Sequence, residues 1–378
     1  MKVGILGAGG AVGAGALWLF ESMSEISLIL GGRNLEKLHS ISEEHRNVQV
    51  VYTDFNDPIS VEHFCGKCDL IINCAGPSAQ MKGSVAAVCM KYNKTYVDVS
   101  GSRLLLEDLH RFEKEYGNGT CIVSAGIYPG LTELFLDCVL HEYDSVSCVR
   151  EFFRGNGELS LNAAYDIVSS LACGEGYGMA GYRNGAVEKT APMVQEAPKE
   201  LENAENCAVM PVLSQEFVHV MNRYTPGEGS FFQVLPDQEA MLGFVMIKAL
   251  EKYKTEEEKR ASAQTVRKLF CRTDKAQKAE ILVETSGWIN GRRVQKRDLL
   301  TSDENWNKIT GYIAGLTAVL YSRAGREQDG ICFPAEVIDS TELLRWLEQR
   351  GIVRHDTSDG IGGVCYEKRR DREDGKRI

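Results

Sequence analysis

Residues 7–13 read Gly-Ala-Gly-Gly-Ala-Val-Gly, and glycines at that density can do one definite piece of chemistry. Backbone without side chains can close its N–H groups around a phosphate, and a helix starting there adds unpaired donors and a partial positive charge. Gly7, Gly9 and Gly13 fit the required spacing, and so do Gly7, Gly10 and Gly13, with Ala11 and Val12 completing the turn. The early glycine permits a tight turn, a middle one lets a pyrophosphate approach, and Gly13 lets helix pack on strand. A second group, Gly31-Gly32-Arg33-Asn34, stands where an NAD site usually has an acidic residue for the ribose 2′-hydroxyl. Arg33 instead offers a planar, permanently charged fork suited to a 2′-phosphate, so NADP(H) is expected ahead of NAD(H). Asp54 lies where such sites contact the adenine edge, although an Asp there can also simply shape a turn.

These groups meet only if a sheet brings them to one end. KVGIL, ISLILGG, VQVVYTD, DLIINCAG, TYVDVSG and TCIVSAG read as six strands, separated by helical segments such as LEKLHSISEEH and VAAVCMKYN. That alternation predicts a doubly wound parallel sheet, a Rossmann-type α/β fold. Ligands then bind outside the carboxyl ends of the strands. This places Ala75, Gly76 and Pro77, then Asp98, Ser100 and Gly101, then Gly126 to Gly130 at one crevice. The pattern changes after Cys148. VREFFRGNGELS and GSFFQVLP read as strands, NAAYDIVSSLA as a helix, and EFVHVMNRY as a strand. IKALEKYKTEEEKRASAQTVRKLF reads as helical, and AEILVETSGWINGRRVQKRDLL as a hairpin turning at Asn290-Gly291. A second, α+β domain on a mixed sheet is expected. The reading divides the chain into 1–130 for the nucleotide, 131–310 for substrate and dimer contact, 311–352 as helices returning to the first domain, and 366–378 as a disordered charged tail. Gly311 and Gly315, four apart on an apolar helix, allow close packing in a core.

The chain has 378 residues, with 43% hydrophobic and 25% charged residues and a formal charge of −10. That balance fits a folded, soluble protein and argues against nucleic acid or an anionic membrane as partner. No apolar run approaches the ~18 residues of a spanning helix. Met1 leads straight into a strand with no signal sequence, so the cytoplasm is the expected location. Twelve scattered cysteines fit reduced, buried thiols. Cys65 and Cys68 form a CxxC without a matching second pair, and no metal site is expected.

GAGGAVG, GGRN, INCAGPSAQMKGSVAAVCMKYNKTYVDVSG and SAGIYPGL together resemble the saccharopine dehydrogenase, or saccharopine reductase-like, family. The resemblance covers about the first third of the chain, with a weaker echo in ITGYIAGLTAVLYSRAG and GICFPAEVID. It implies an NAD(P)-dependent oxidoreductase with an N-terminal Rossmann domain and a second domain for substrate and dimer contact. It further implies hydride transfer to a C=N bond, of imine or opine type, in a small-molecule or carrier-tethered substrate. An activated C=C bond is the alternative acceptor, and a non-catalytic NADP-binding regulator is a third reading.

Hydride transfer needs orientation above all, and imine reduction adds one proton. The candidates at the crevice are Tyr128 and Asp98 as acids, with Ser100 as a donor and Gly101 and Pro129 beside them. Asp98 can equally bond backbone at its strand end. Arg154 and Arg183 are candidate clamps for a substrate carboxylate, and His219 is a candidate lining residue from the second domain.

Overall fold

The computed structural model describes residues 1–359 apart from 22, 24, 46, 118, 174–175, 191–194, 271–276 and 326–329. The tail expected at 366–378 lies outside the described residues. Strands β1 (Lys2–Leu6), β2 (Ser27–Gly32), β3 (Val48–Tyr52), β4 (Leu70–Asn73), β5 (Thr95–Asp98) and β6 (Thr120–Ile122) pair in parallel, in the order β6-β5-β4-β1-β2-β3. Both faces of this sheet are covered, which is why its strands are continuous aliphatic runs and not alternating ones. The helices between them are α1 (Ala11–Phe20), α2 (Leu35–Glu43), α3 (Pro58–Gly66), α4 (Ser78–Met81), α5 (Ser84–Lys91) and α6 (Arg103–Tyr116). Strand order reverses between β1 and β4, and a crevice opens at their carboxyl ends.

Helix α7 (Leu131–Leu140) leads out of this layer and is buried on nearly every side. It lies between the parallel sheet and a second sheet, so even its polar residues are enclosed. Asp137 accepts hydrogen bonds from Arg223, Tyr224 and Ser340. The second sheet begins with β7 (Ser145–Asn156), followed by α8 (Leu161–Cys173), β8 (Tyr177–Gly178), β9 (Ala180–Arg183), β10 (Ala186–Lys189) and β11 (Ala208–Leu213). Then come α9 (Gln215–Tyr224), β12 (Glu228–Leu235), α10 (Gln238–Ala249), α11 (Glu256–Phe270), β13 (Lys278–Ile289) and β14 (Arg292–Ser302). The sheet is mixed: β12 runs parallel to β7, while β13 and β14 pair antiparallel. The hairpin between the last two turns at Asn290 and Gly291, both with positive φ, as an Asn-Gly turn requires.

Two expectations need correction. EFVHVMNRY is helix α9, not a strand. Phe217, Val220 and Met221 recur at helical spacing on its buried side, and Ser214 caps its start by accepting from the Phe217 N–H at 2.9 Å. The long helical segment after residue 246 is two helices, α10 and α11, that pack against each other and against α8.

The chain then returns. Helix α12 (Trp306–Ala324) lies along α1 through glycines on both. A Cβ on Gly311 would strike the Val12 carbonyl and stand 2.5 Å from the Ala16 nitrogen. β15 (Gly330–Cys332) adds to β6 as the seventh parallel strand. α13 (Pro334–Val337) and α14 (Ser340–Gln349) follow, and β16 (Arg354–Asp359) pairs with β14 in the second sheet. The largest apolar core joins α1, α7 and α12 to the inner face of the second sheet. Another core lies under α3, α5 and α6 and contains Cys65 and Cys68. The CxxC thus ends helix α3 instead of starting one, and burial pushes the Cys68 thiol up to about 12. It is inert at neutral pH.

Candidate functional site

The glycine turn is fixed by space. Gly7 has φ +81°, and a Cβ there would lie 2.7 Å from the Ala75 nitrogen, so β1 and the segment after β4 touch backbone to backbone. Gly10 donates its N–H to the Gly7 carbonyl at 2.9 Å, closing the turn before α1 begins. A Cβ on Gly13 would come within 2.6 Å of Ala8 Cα. The tightly packed glycines are therefore Gly7 and Gly13, while Gly10 is exposed. A Cβ on Gly9 would meet only side chains at ordinary contact distance, Lys37 Cδ at 3.5 Å and Leu38 Cδ2 at 3.8 Å, and both Gly9 and Gly10 leave backbone open to a ligand. Ala11 and Val12 open helix α1, whose first-turn amides have no partner within the helix. These residues fit a dinucleotide.

At the end of β2, Arg33 is exposed and Asn34 caps α2 by accepting from the Lys37 N–H at 3.0 Å. One turn on, the Lys37 stem lies along Gly9. A second cation, Lys37, thus stands near the glycine turn beside the expected Arg33, and sequence reading had identified only one of them. An N-cap followed by a lysine was the available signal. Asp54 accepts from the Asn56 N–H and side chain in the turn after β3, which is the turn-shaping alternative.

The third wall is the segment after β4. Asn73 Oδ1 accepts from the Ala75 N–H at 3.1 Å, and Gly76 and Pro77 lead into the short helix α4. Helix α8 of the second layer reaches this segment. Asn162 donates to the Gly76 carbonyl at 3.0 Å, and Asp166 accepts from the Ser78 and Ala79 amides at 2.9 Å each.

Asp98, at the tip of β5, is fully engaged. It accepts from Asn73 at 2.9 Å, from the Tyr96 hydroxyl, and from the Ser100 N–H at 2.8 Å. Burial raises it to about 6 despite those donors. Its bonds hold the strand tip together. Ser100 accepts the Ser124 N–H on its carbonyl, and Gly101 has no room for a Cβ because Ser124 Oγ and Glu216 press against it.

Beneath Gly101 lies a group of acids that sequence reading missed. Ser124, with φ +62°, donates to Glu216 Oε1 at 2.5 Å. Glu216 is buried, and desolvation reinforced by nearby Glu133 holds its proton up to about 7. Glu133 sits at the start of α7 and accepts from the Gly130 N–H at 2.7 Å and from Thr132 and Ser214. Glu151, on β7, is wholly enclosed and neither of its carboxyl oxygens has a hydrogen-bond partner among the described residues. Burial and Glu133 together push it well above the carboxylate range. The legible signal for Glu151 was an acid on the same strand face as Val149 and Phe153. Nothing in the sequence marked the other two as buried.

Tyr128 is half-buried. Its ring stacks on Phe231 with centroids 5.0 Å apart and lies 5.2 Å from Phe153. Burial, then Glu133, Glu216 and Glu151, raise its hydroxyl. The acids of the cluster therefore surround a tyrosine expected to face the crevice alone. Pro129 follows it through a cis peptide, as Pro77 follows Gly76. His219 is 3.1 Å from Glu336, which raises it, and it lines a cavity of about 10 Å³ together with Ser124, Glu133 and Glu216.

The two arginine candidates are placed elsewhere. Strand alternation puts Glu151 and Phe153 toward the crevice and Arg154 on the opposite face, where it is buried in an ion pair with Glu280 at 2.5 Å. Arg183 stands exposed on the β9–β10 hairpin beside Glu228 at 3.1 Å. Neither offers its guanidinium to a ligand at the strand tips.

Residues 3–123 match the family model of the saccharopine dehydrogenase NADP binding domain. Over 117 residues the chain is 25% identical to the saccharopine dehydrogenase-like oxidoreductases of Rattus norvegicus and Mus musculus. That stretch is 28% of this chain and 27% of each relative, so the match spans about a quarter of the relatives' length. In fold the chain is similar to apo saccharopine dehydrogenase (L-Glu forming) from Saccharomyces cerevisiae, with a TM-score of 0.68 at 12% identity over 94% of this chain and 99% of that one. No helix among the described residues is long and apolar enough to cross a membrane.

Proposed function

We propose, from the match of residues 3–123 to the saccharopine dehydrogenase NADP binding domain, that the whole chain is an NADPH-dependent reductase of a C=N bond. When bound, NADPH supplies the hydride. The chain's own residues do the rest. The amides of 7–13 and the start of α1 hold the pyrophosphate, and Arg33 and Lys37 hold the 2′-phosphate. The segment 75–79 and Ser100 shape the floor on which the reacting carbon lies. Reduction of an imine consumes a proton together with the hydride. The observation that carries this reading is the buried carboxyl group under that floor. Glu216 accepts from Ser124 beside Gly101, and burial raises it to about 7, within reach of proton exchange near neutral pH. Glu133 lies near it and disfavours its ionisation. With Arg154 and Arg183 engaged elsewhere, a substrate carboxylate is not part of the reading.

Two measurements test it. Arg33→Ala should weaken NADPH by about tenfold, the scale of one charge-assisted contact, and leave NADH unchanged. Equal loss for both cofactors removes the clamp. NADPH oxidation should then be followed with amine and carbonyl pairs and, separately, with activated enoyl compounds. Turnover only with the enoyl set replaces C=N by C=C, and turnover with neither favours a regulator.

We further propose a cytoplasmic location, supported by the buried thiols of Cys65, Cys68, Cys89, Cys121 and Cys332, and a homodimer acting on a small-molecule or carrier-tethered substrate. The support for the dimer is a stripe on α10. Leu242, Val245, Met246 and Leu250 are each more than half exposed. Glu239 precedes the stripe and Lys252 follows it, so a two-fold antiparallel pairing of α10 with its copy sets opposite charges together at both ends.

A further inference from the structure

We propose that Asp166 is a positioning residue: with Asn162 beside it, it holds the backbone of residues 76–79 in the shape that receives the nicotinamide half of the cofactor. The proposal rests on the NADPH reading above and asks which part of the chain sets that half of the site.

The segment after β4 cannot organise itself. Pro77 has no N–H, and α4 is a single turn with no side-chain cap of its own. Its free donors are the Ser78 and Ala79 amides, and a single carboxylate takes both, one on each oxygen. Such charge-assisted bonds are about twice as strong as neutral ones. The Gly76 carbonyl is fixed by Asn162, one helical turn before Asp166 on the same face of α8. From below, Gly7 packs against Ala75. From the side, Ser78 Oγ lies 3.1 Å from Ser102 Oγ after β5. Three backbone groups of a four-residue segment are thus satisfied by a helix more than eighty residues later, in the other layer of the molecule.

The consequence divides the cofactor in two. The adenosine half lies on residues 7–13, Arg33 and Lys37, all within the first sheet and its helices. The nicotinamide half lies against a segment whose form is set by α8. A change at Asp166 should therefore be felt by one half only. A general loss of folding would be felt by both.

The full chain should be titrated with NADPH and, separately, with 2′,5′-ADP, which carries the adenosine half and its extra phosphate but no nicotinamide. Asp166→Ala should weaken NADPH by about tenfold, the scale of losing a charge-assisted hydrogen bond. It should leave 2′,5′-ADP within about twofold, the scatter of an uncoupled site. Asp166→Asn keeps one acceptor oxygen and should recover part of the NADPH affinity. Asn162→Ala, at an exposed position, should give a smaller loss of the same selective kind. Equal weakening of both ligands, or NADPH binding that does not change, overturns the proposal. A wild-type chain that binds neither ligand overturns the cofactor reading and the clamp together. A selective loss in a chain that reduces no imine leaves the clamp standing and removes only the C=N assignment.

Discussion

At the scale of single residues, the acids beneath Gly101 make a prediction about pH. Glu216 is raised from the ordinary 4.5 to about 7 in the folded chain. Between those values the unfolded chain has released this proton and the folded chain still holds it. Stability should therefore fall as pH rises from about 4.5 to 7 and level off above, by about 3 kcal/mol from this group alone. Glu133 and Glu151 are raised as well and act in the same direction. Glu216→Gln, read by urea denaturation at pH 5 and pH 7.5, should flatten that slope. A slope as steep as the wild type's shows that Glu216 is not the group involved. Such residues were poorly legible, because a glutamate's letter says nothing about burial. Gly7 and Gly13 were legible because only a few residue types can occupy a tight turn or admit so close a backbone approach. Arg154 was misplaced for a simpler reason: a shift of one position along a strand changes the face.

At the scale of elements, the contact between α1 and α12 is the most exacting. Gly311→Ala should cost about 3 kcal/mol, since the added methyl meets backbone that cannot rotate away. Because α1 begins at the glycine turn, NADPH affinity should fall with it, and a denaturation curve paired with a cofactor titration checks both. Wild-type stability in this variant means that α1 and α12 do not meet backbone to backbone at Gly311. The glycines at 311 and 315 announced close packing without naming the partner, which lies some three hundred residues earlier. The hairpin at Asn290-Gly291 was plain because its turn chemistry is local. Helix α9 was misread because Val218 and Val220 carry strand propensity. The 3.6-residue spacing of its buried side and the Ser214 cap outweigh that propensity once the helix has a surface to pack on.

At the scale of the molecule, the α10 stripe predicts assembly. Light scattering on the full chain should give twice the chain mass, and the pair Leu242→Glu and Met246→Glu should give one chain mass with unchanged NADPH affinity. A wild-type monomer removes the dimer, and a double variant that stays dimeric moves the interface away from α10. The two-layer plan was legible from alternating patterns, but the route of the chain between layers was not, since it depends on contacts distant in sequence. The last strand of the parallel sheet, β15, has a consequence of its own. A ribosome must deliver more than 330 residues before that strand exists. Until then β6 is an open border on the nascent domain, able to pair with any extended segment nearby. A fragment trimmed to the first 140 residues would keep that border for good, so the nucleotide-binding half should be least soluble in the very form most convenient to isolate.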